Sequence, residues 1–206
     1  MPLIDVEIPT VDLGLPEDAA AFLVEAERRV DRFLKADATH VAGFVPSDFA
    51  SVYRGLRAIT ENNLVVGDSF CEWGSGFGVV TSLAAMLGYR ASGIEIDQRL
   101  VEAARTLADD FRLPIELVHG SFIPSGAESI VDEADTDADF YWLVPEVDNA
   151  YDELGIDPDG FDLVFAYPWP GGEHVIESLF EQSAADQALL LTYNQHDTLR
   201  LLRKVA

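Results

Sequence analysis

Lysine is nearly missing from this sequence: Lys35 and Lys204 stand beside eleven arginines and against 37 Asp and Glu residues, for a formal net charge of -24 over 206 residues. A surface that holds a phosphate backbone must present Lys and Arg to it, so the deficit argues against a nucleic-acid partner. The deficit is also uneven. Between Arg112 and Arg200 there is no Lys or Arg at all, while nineteen Asp and Glu residues fall in that interval. Such a field repels anionic substrates and attracts cationic ones, an amine or a Lys-rich protein among them, although acidic surfaces also serve solubility or life in high salt. Cysteine is reduced to Cys71, which excludes an internal disulfide and reads as a small buried hydrophobe rather than a reactive thiol. No apolar run reaches the length of a membrane span. Met1-Pro2-Leu3-Ile4-Asp5 lacks the basic and apolar regions of a signal peptide, so a cytoplasmic protein is expected.

What is present is 49% hydrophobic residues in a chain of 206, enough for one α/β domain with a sizeable core and too little for two. The informative stretch is Phe70 to Gly78, Phe-Cys-Glu-Trp-Gly-Ser-Gly-Phe-Gly. Asp68 to Glu72 suits a short buried strand, glycines follow at alternate positions, and Val79 to Leu87 reads as a helix. A strand, a glycine turn and a helix form a ligand cradle, because glycine lets backbone approach a bound molecule and the helix points free N–H groups at it. A dinucleotide fingerprint, G-x-G-x-x-G, needs a glycine where Val79 stands, which disfavours a nicotinamide oxidoreductase. Roughly 20 residues beyond the first glycine, Tyr89 to Asp97 reads as a strand that delivers Glu95 where a ribose-binding acid belongs. Asp97 reads as the N-cap of the next helix.

The acidic-x-Gly-x-Gly-x-Gly pattern ending at Gly78, followed by Glu95, resembles motif I and the next strand end of the class I S-adenosylmethionine-dependent methyltransferases. The resemblance covers roughly residues 44 to 195. It implies a Rossmann-like doubly wound α/β sheet and S-adenosyl-L-methionine as cofactor, with Glu72 near its methionine end, Gly74, Gly76 and Gly78 in the cradle, and Glu95 with Ile96 at the ribose. Phe44-Val45-Pro46-Ser47 is similar to a segment ahead of motif I in methyltransferases that modify protein lysines. That likeness implies Phe44 or Ser47 over the cofactor, although a helix start explains the same residues. His119-Gly120-Ser121-Phe122 falls at the adenine position. Ser121 stands where an acid is usual, which leaves the adenine to backbone groups and to the ring of Phe122, and His119 reads as structural. Tyr167-Pro168-Trp169-Pro170-Gly171-Gly172-Glu173 falls at motif IV but departs from Asn/Asp-Pro-Pro-aromatic. Tyr167 is the candidate to orient a nucleophile, Trp169 to form a wall and Glu173 to attract a cation; packing explains each aromatic equally well.

In chain order, residues 1–15 look irregular. Helices over about 17–35 and after Ser47, its expected N-cap, form an N-terminal helical cap (1–62) ahead of the cofactor-binding core (63–206). A helix over 98–111, a strand over 115–118, a strand over 161–166, a helix over 174–182, a strand over 187–192 and an edge strand over 198–205 follow. That count leaves the sheet short of the seven strands of the full methyltransferase fold. An acidic insertion at 124–160, carrying Phe140, Tyr141, Trp142 and Leu143, lacks EF-hand spacing and is a candidate substrate-binding element, with no metal site read. The expected function is methyl transfer to an amine-bearing or cationic acceptor. A non-catalytic module on the same fold is the alternative, kept open by Ser121 and Tyr167.

Overall fold

The computed structural model describes residues 2–10, 14–36, 44–127, 130, 150–194 and 198–206. Phe140 to Leu143 and most of the acidic insertion lie outside them. Strands β1 (Leu3–Val6), β2 (Ser69–Trp73), β3 (Arg90–Glu95), β4 (Ile115–His119), β5 (Leu163–Ala166), β6 (Leu189–Asn194) and β7 (Thr198–Lys204) form one seven-stranded sheet in the order β1-β7-β6-β5-β2-β3-β4. Five adjacent strands, β2 to β6, run parallel, with β4 at one edge, and β7 and β1 are added at the other side through antiparallel pairings. The chain passes from β2 outward through β3 to β4, then returns to the other side of β2 with β5. The boundary between β2 and β5 is therefore the switch point of the doubly wound sheet, where open α/β folds bind ligands beyond the strand ends.

Alternation along β2 divides the core. Phe70 joins the layer on one face, with α1 (Glu17–Ala36), α2 (Phe49–Glu61), α3 (Val79–Met86) and the inner side of α4 (Gln98–Phe111). Cys71 and Trp73 point the other way, into a layer with α5 (Ala150–Leu154) and α6 (Glu173–Ser183). Central strands buried on both faces explain the near-continuous apolar runs of Leu163–Ala166 and Leu189–Leu191. Cys71 is fully buried, and burial raises its thiol pKa well above the usual value. Among the described residues no helix is long and apolar enough to cross a membrane.

Two expectations need correction. Residues 1–15 are not irregular throughout: Leu3 to Val6 pair antiparallel with Lys204 to Leu201, supplying the seventh strand that the sequence count lacked. The N-cap of α2 is Asp48 rather than Ser47. Its carboxylate accepts hydrogen bonds from the Ser51 N–H at 3.1 Å and the Ser51 hydroxyl at 2.7 Å. The Asp48 carboxylate satisfies an orphan donor of the first turn, and its negative charge favours the positive end of the helix dipole.

Candidate active site

β2 passes through Gly74, Gly76 and Gly78 into α3, and the loop is pinned to β3 by Gly74 N–H and Ser75 N–H, which both donate to the Ile94 carbonyl at 3.0 and 2.9 Å. Two of these glycines are required by their surroundings. Gly76 has φ +53°, and a Cβ there would lie 2.5 Å from Cε2 of Phe44. Gly78, at φ +62°, caps α3, and a Cβ there would meet Ala104 and Leu117 at 3.2 Å. The first glycine permits a ring to lie on the loop; the second permits α3 to pack close to α4 and β4.

Two buried carboxylates flank this loop. Glu95, 8% exposed at the end of β3, accepts the Gly76 N–H on Oε2 at 2.8 Å and the Asp97 N–H on Oε1 at 2.9 Å. Burial raises its pKa above the ordinary value, against the opposing pull of those N–H groups. Glu72, 5% exposed at the end of β2, accepts both the Thr81 N–H at 2.7 Å and the Thr81 hydroxyl at 2.5 Å on the same oxygen, Oε2. Burial without a cation nearby pushes its pKa up to about 8, with the Glu95 charge adding to the rise. Asp97 caps α4 through the Arg99 N–H at 2.9 Å and holds the Arg99 guanidinium at 2.6 Å.

A cavity of about 1000 Å³ opens over the C-terminal ends of these strands. Its floor includes Glu72, Gly74, Gly76, Glu95 and Ile96; Ser121 and Phe122 close the β4 side, and Tyr167 with Trp169 close the β5 side. Phe44 and Ser47 line it from the segment ahead of α2. Of the cofactor and acceptor candidates named from sequence, Gly78 and Glu173 are not among its lining residues: Gly78 is turned toward α4, and Glu173 begins α6. Ser121 Oγ accepts the Ile123 N–H at 3.1 Å, so its hydroxyl shapes the turn beyond β4. His119 sits at the end of β4 with Nε2 2.9 Å from the Ile96 carbonyl.

Sequence reading passed over Trp73 and Tyr151. Trp73 lines the cavity and stacks on Phe122, with ring centroids 5.4 Å apart and planes at 10°. Its signal was available, because alternation after Glu72 turns the next side chain to the opposite face. The Tyr151 hydroxyl donates to the Phe122 carbonyl at 2.8 Å and so fixes the same wall from α5. No local pattern announces a contact made across 29 residues.

The residues fit a nucleoside cofactor on two further observations. A Cβ at Gly74 would meet nothing within 4 Å, so the loop faces open space. The Ser75 hydroxyl is buried in the same loop without a hydrogen-bond partner among the described residues.

Comparison by sequence gives no matching family model and no matching curated relative. Comparison by structure does give neighbours. A methyltransferase from Geobacter sulfurreducens superposes with a TM-score of 0.54 at 16% identity, covering 94% of this chain and 92% of that one. An RNA methyltransferase from Salinibacter ruber, in complex with S-adenosyl-L-homocysteine, gives 0.50 at 17% identity over 78% of this chain and 92% of its own. The fold is the Rossmann-like methyltransferase fold. An O-methyltransferase from Bacillus cereus in complex with the same product also gives 0.50, at 13% identity over 88% of this chain and 68% of its own. At such identities these methyltransferase-fold neighbours establish architecture alone.

Proposed function

We propose that the chain is an S-adenosyl-L-methionine-dependent methyltransferase acting on a neutral or cationic acceptor. The observation that carries this reading is the coincidence, at the switch point of the sheet, of the glycine loop and the buried Glu95 carboxylate in one cavity of about 1000 Å³. Glu95 would accept the ribose hydroxyls, Gly74 would let the backbone approach the cofactor, and Gly76 would leave room for the Phe44 ring on the same loop. Glu72 would face its methionine end, while Ser121 and Phe122 would flank the adenine. Phe44, lying on Gly76, would cover the cofactor, in keeping with the lysine-modifying likeness of its segment. When bound, the cofactor supplies a methyl group on a sulfonium, open to attack by an acceptor lone pair. The task left to the protein is alignment and exclusion of water, worth roughly 7–11 kcal/mol when the reacting atoms are held in contact. Tyr167 and Trp169, which line the β5 side of the cavity, would do this on the acceptor side.

The charge of -24, with no Lys or Arg between Arg112 and Arg200, disfavours nucleic acid and other anionic acceptors. The test is isothermal titration of S-adenosylmethionine and S-adenosylhomocysteine into the wild type and Glu95→Ala, with NADH alongside. Binding of both sulfur compounds is expected, weakened ~10- to 100-fold by loss of a charged hydrogen-bond acceptor, with no NADH binding. Binding of NADH alone would make the chain an oxidoreductase on this fold.

A further inference from the structure

The acceptor side of the cavity has a chemistry of its own, and its reading rests on the methyltransferase assignment above. β2 and β5 are neighbours in register, Trp73 opposite Ala166, so the glycine loop and Tyr167 leave the sheet side by side. Glu95 lies on β3, on the far side of β2 from β5. A cofactor that spans Glu95 and the glycine loop therefore points its other end toward Tyr167 to Pro170.

That wall carries no charge, and its rings are held in place. Tyr167 meets Tyr193 edge-on, with centroids 5.1 Å apart and planes at 88°. Trp169 folds back over the start of α6 in a turn closed by Gly172 N–H to the Trp169 carbonyl at 2.8 Å. Its indole rests directly on Gly172: a Cβ there would lie 2.2 Å from Cε2 and 2.4 Å from Cδ2. The ring is thus backed by bare backbone while it lines the cavity. Among the described residues, the acidic and basic side chains of the lining are Glu72, Glu95, Asp97 and Arg99, and Arg99 is held by Asp97 at 2.6 Å. An anionic acceptor would find Arg99 already paired with Asp97, whereas an ammonium would meet ring faces in a site that also holds the carboxylates of Glu95 and Asp97.

We propose that Tyr167 and Trp169 form the acceptor subsite for a small amine bearing an apolar or aromatic group, with Gly172 as the backing that sets the width of the slot. A cavity of about 1000 Å³ is at the upper end of the roughly 300–1,000 Å³ typical of small-molecule sites, which leaves room for such an acceptor beside the cofactor. The transfer balances simply: the ammonium gives one proton to solvent, the freed lone pair forms the N–CH₃ bond, and the S–CH₃ electron pair returns to sulfur.

The test uses the full chain saturated with S-adenosylhomocysteine, titrated with phenethylamine, phenethyl alcohol and hydrocinnamate, three probes that differ in charge at similar size. The amine is expected to bind tightest and hydrocinnamate weakest. Trp169→Ala is expected to weaken amine binding ~10-fold, as loss of a desolvated cation–π contact should, and Trp169→Phe is expected to restore part of it. Gly172→Ala, whose methyl displaces the indole toward the slot, is expected to weaken amine binding as well. S-adenosylhomocysteine affinity is expected to stay within about twofold of wild type in all three variants, which separates loss of the slot from loss of the fold. Equal or tighter binding of hydrocinnamate or a single-stranded RNA oligonucleotide, or amine binding indifferent to Trp169→Ala, overturns the proposal while the cofactor reading stands. No S-adenosylhomocysteine binding by the wild type overturns both.

Discussion

Glu72 is a carboxyl group placed where its charge is poorly served. Both Thr81 donors converge on one of its oxygens, burial opposes ionisation, and Glu95 is the other charge that bears on it. Its folded-state pKa of about 8 lies above the ordinary 4.5, so between those values the folded protein holds a proton that the unfolded chain gives up. The stability that follows is fully present below the unfolded value and is lost as pH rises through about 8. The thermal midpoint is therefore expected to fall between pH 6 and pH 9, and less steeply in Glu72→Gln, which keeps an oxygen for Thr81 without the titration; calorimetry at both pH values measures it. If the cofactor's ammonium approaches this group, binding must expel the same proton. Affinity for S-adenosylhomocysteine should then rise with pH from about 6.5 to 8.5 in the wild type and stay flat in Glu72→Gln.

Among the elements, those written in local residue chemistry were legible and those made by distant pairing were not. The strand, glycine turn and helix around Phe70 to Met86 follow from three adjacent local signals, and they carry Glu72, Gly74 and Gly76 to the cavity. Strand β3 carries Glu95 there by the same kind of signal. Strand β1 was not legible. Leu3 to Val6 lies between prolines, buries its two end residues only partly, and becomes a strand because β7, nearly two hundred residues later, offers an edge. The Tyr151 to Phe122 bond is of the same kind. The start of α2 is an intermediate case: Ser47 and Asp48 are adjacent candidates, and only the geometry of the Ser51 N–H decides between them. Asp48→Ala is expected to cost about 1 kcal/mol as a lost N-cap, which for a chain of this size lowers the midpoint by about 2–4 °C. Ser47→Ala, at a half-buried position that does not cap the helix, should move it by no more than about 1–2 °C. The reverse ranking in a thermal melt would return the cap to Ser47.

At the scale of the whole molecule, the charge is segregated as well as large. Most of the thirteen basic residues precede Arg112 or follow Asp197, and many are committed to ion pairs: Arg28 and Arg29 to Glu25, Arg29 to Asp110, Arg57 to Glu61, Arg90 to Asp68, Arg200 to Asp5 and Glu177. The nineteen carboxylates between Arg112 and Arg200 have no cation in their own stretch of chain. Salt acts on these two populations in opposite directions. It screens the exposed pairs, each worth only about 0–1 kcal/mol, and it screens the self-repulsion of a chain at -24, which acts over many more pairs of charges. The second effect should win. Raising sodium chloride from 0.05 to 1 M, which shortens the screening length from more than ~10 Å to ~3 Å, is expected to raise the thermal midpoint by several degrees at pH 7. The gain should shrink near pH 4.5, where protonation has already removed much of the repulsion. A midpoint that falls with salt at pH 7 would mean that the ion pairs on α1, α2 and β7 outweigh the repulsion of the acidic interval.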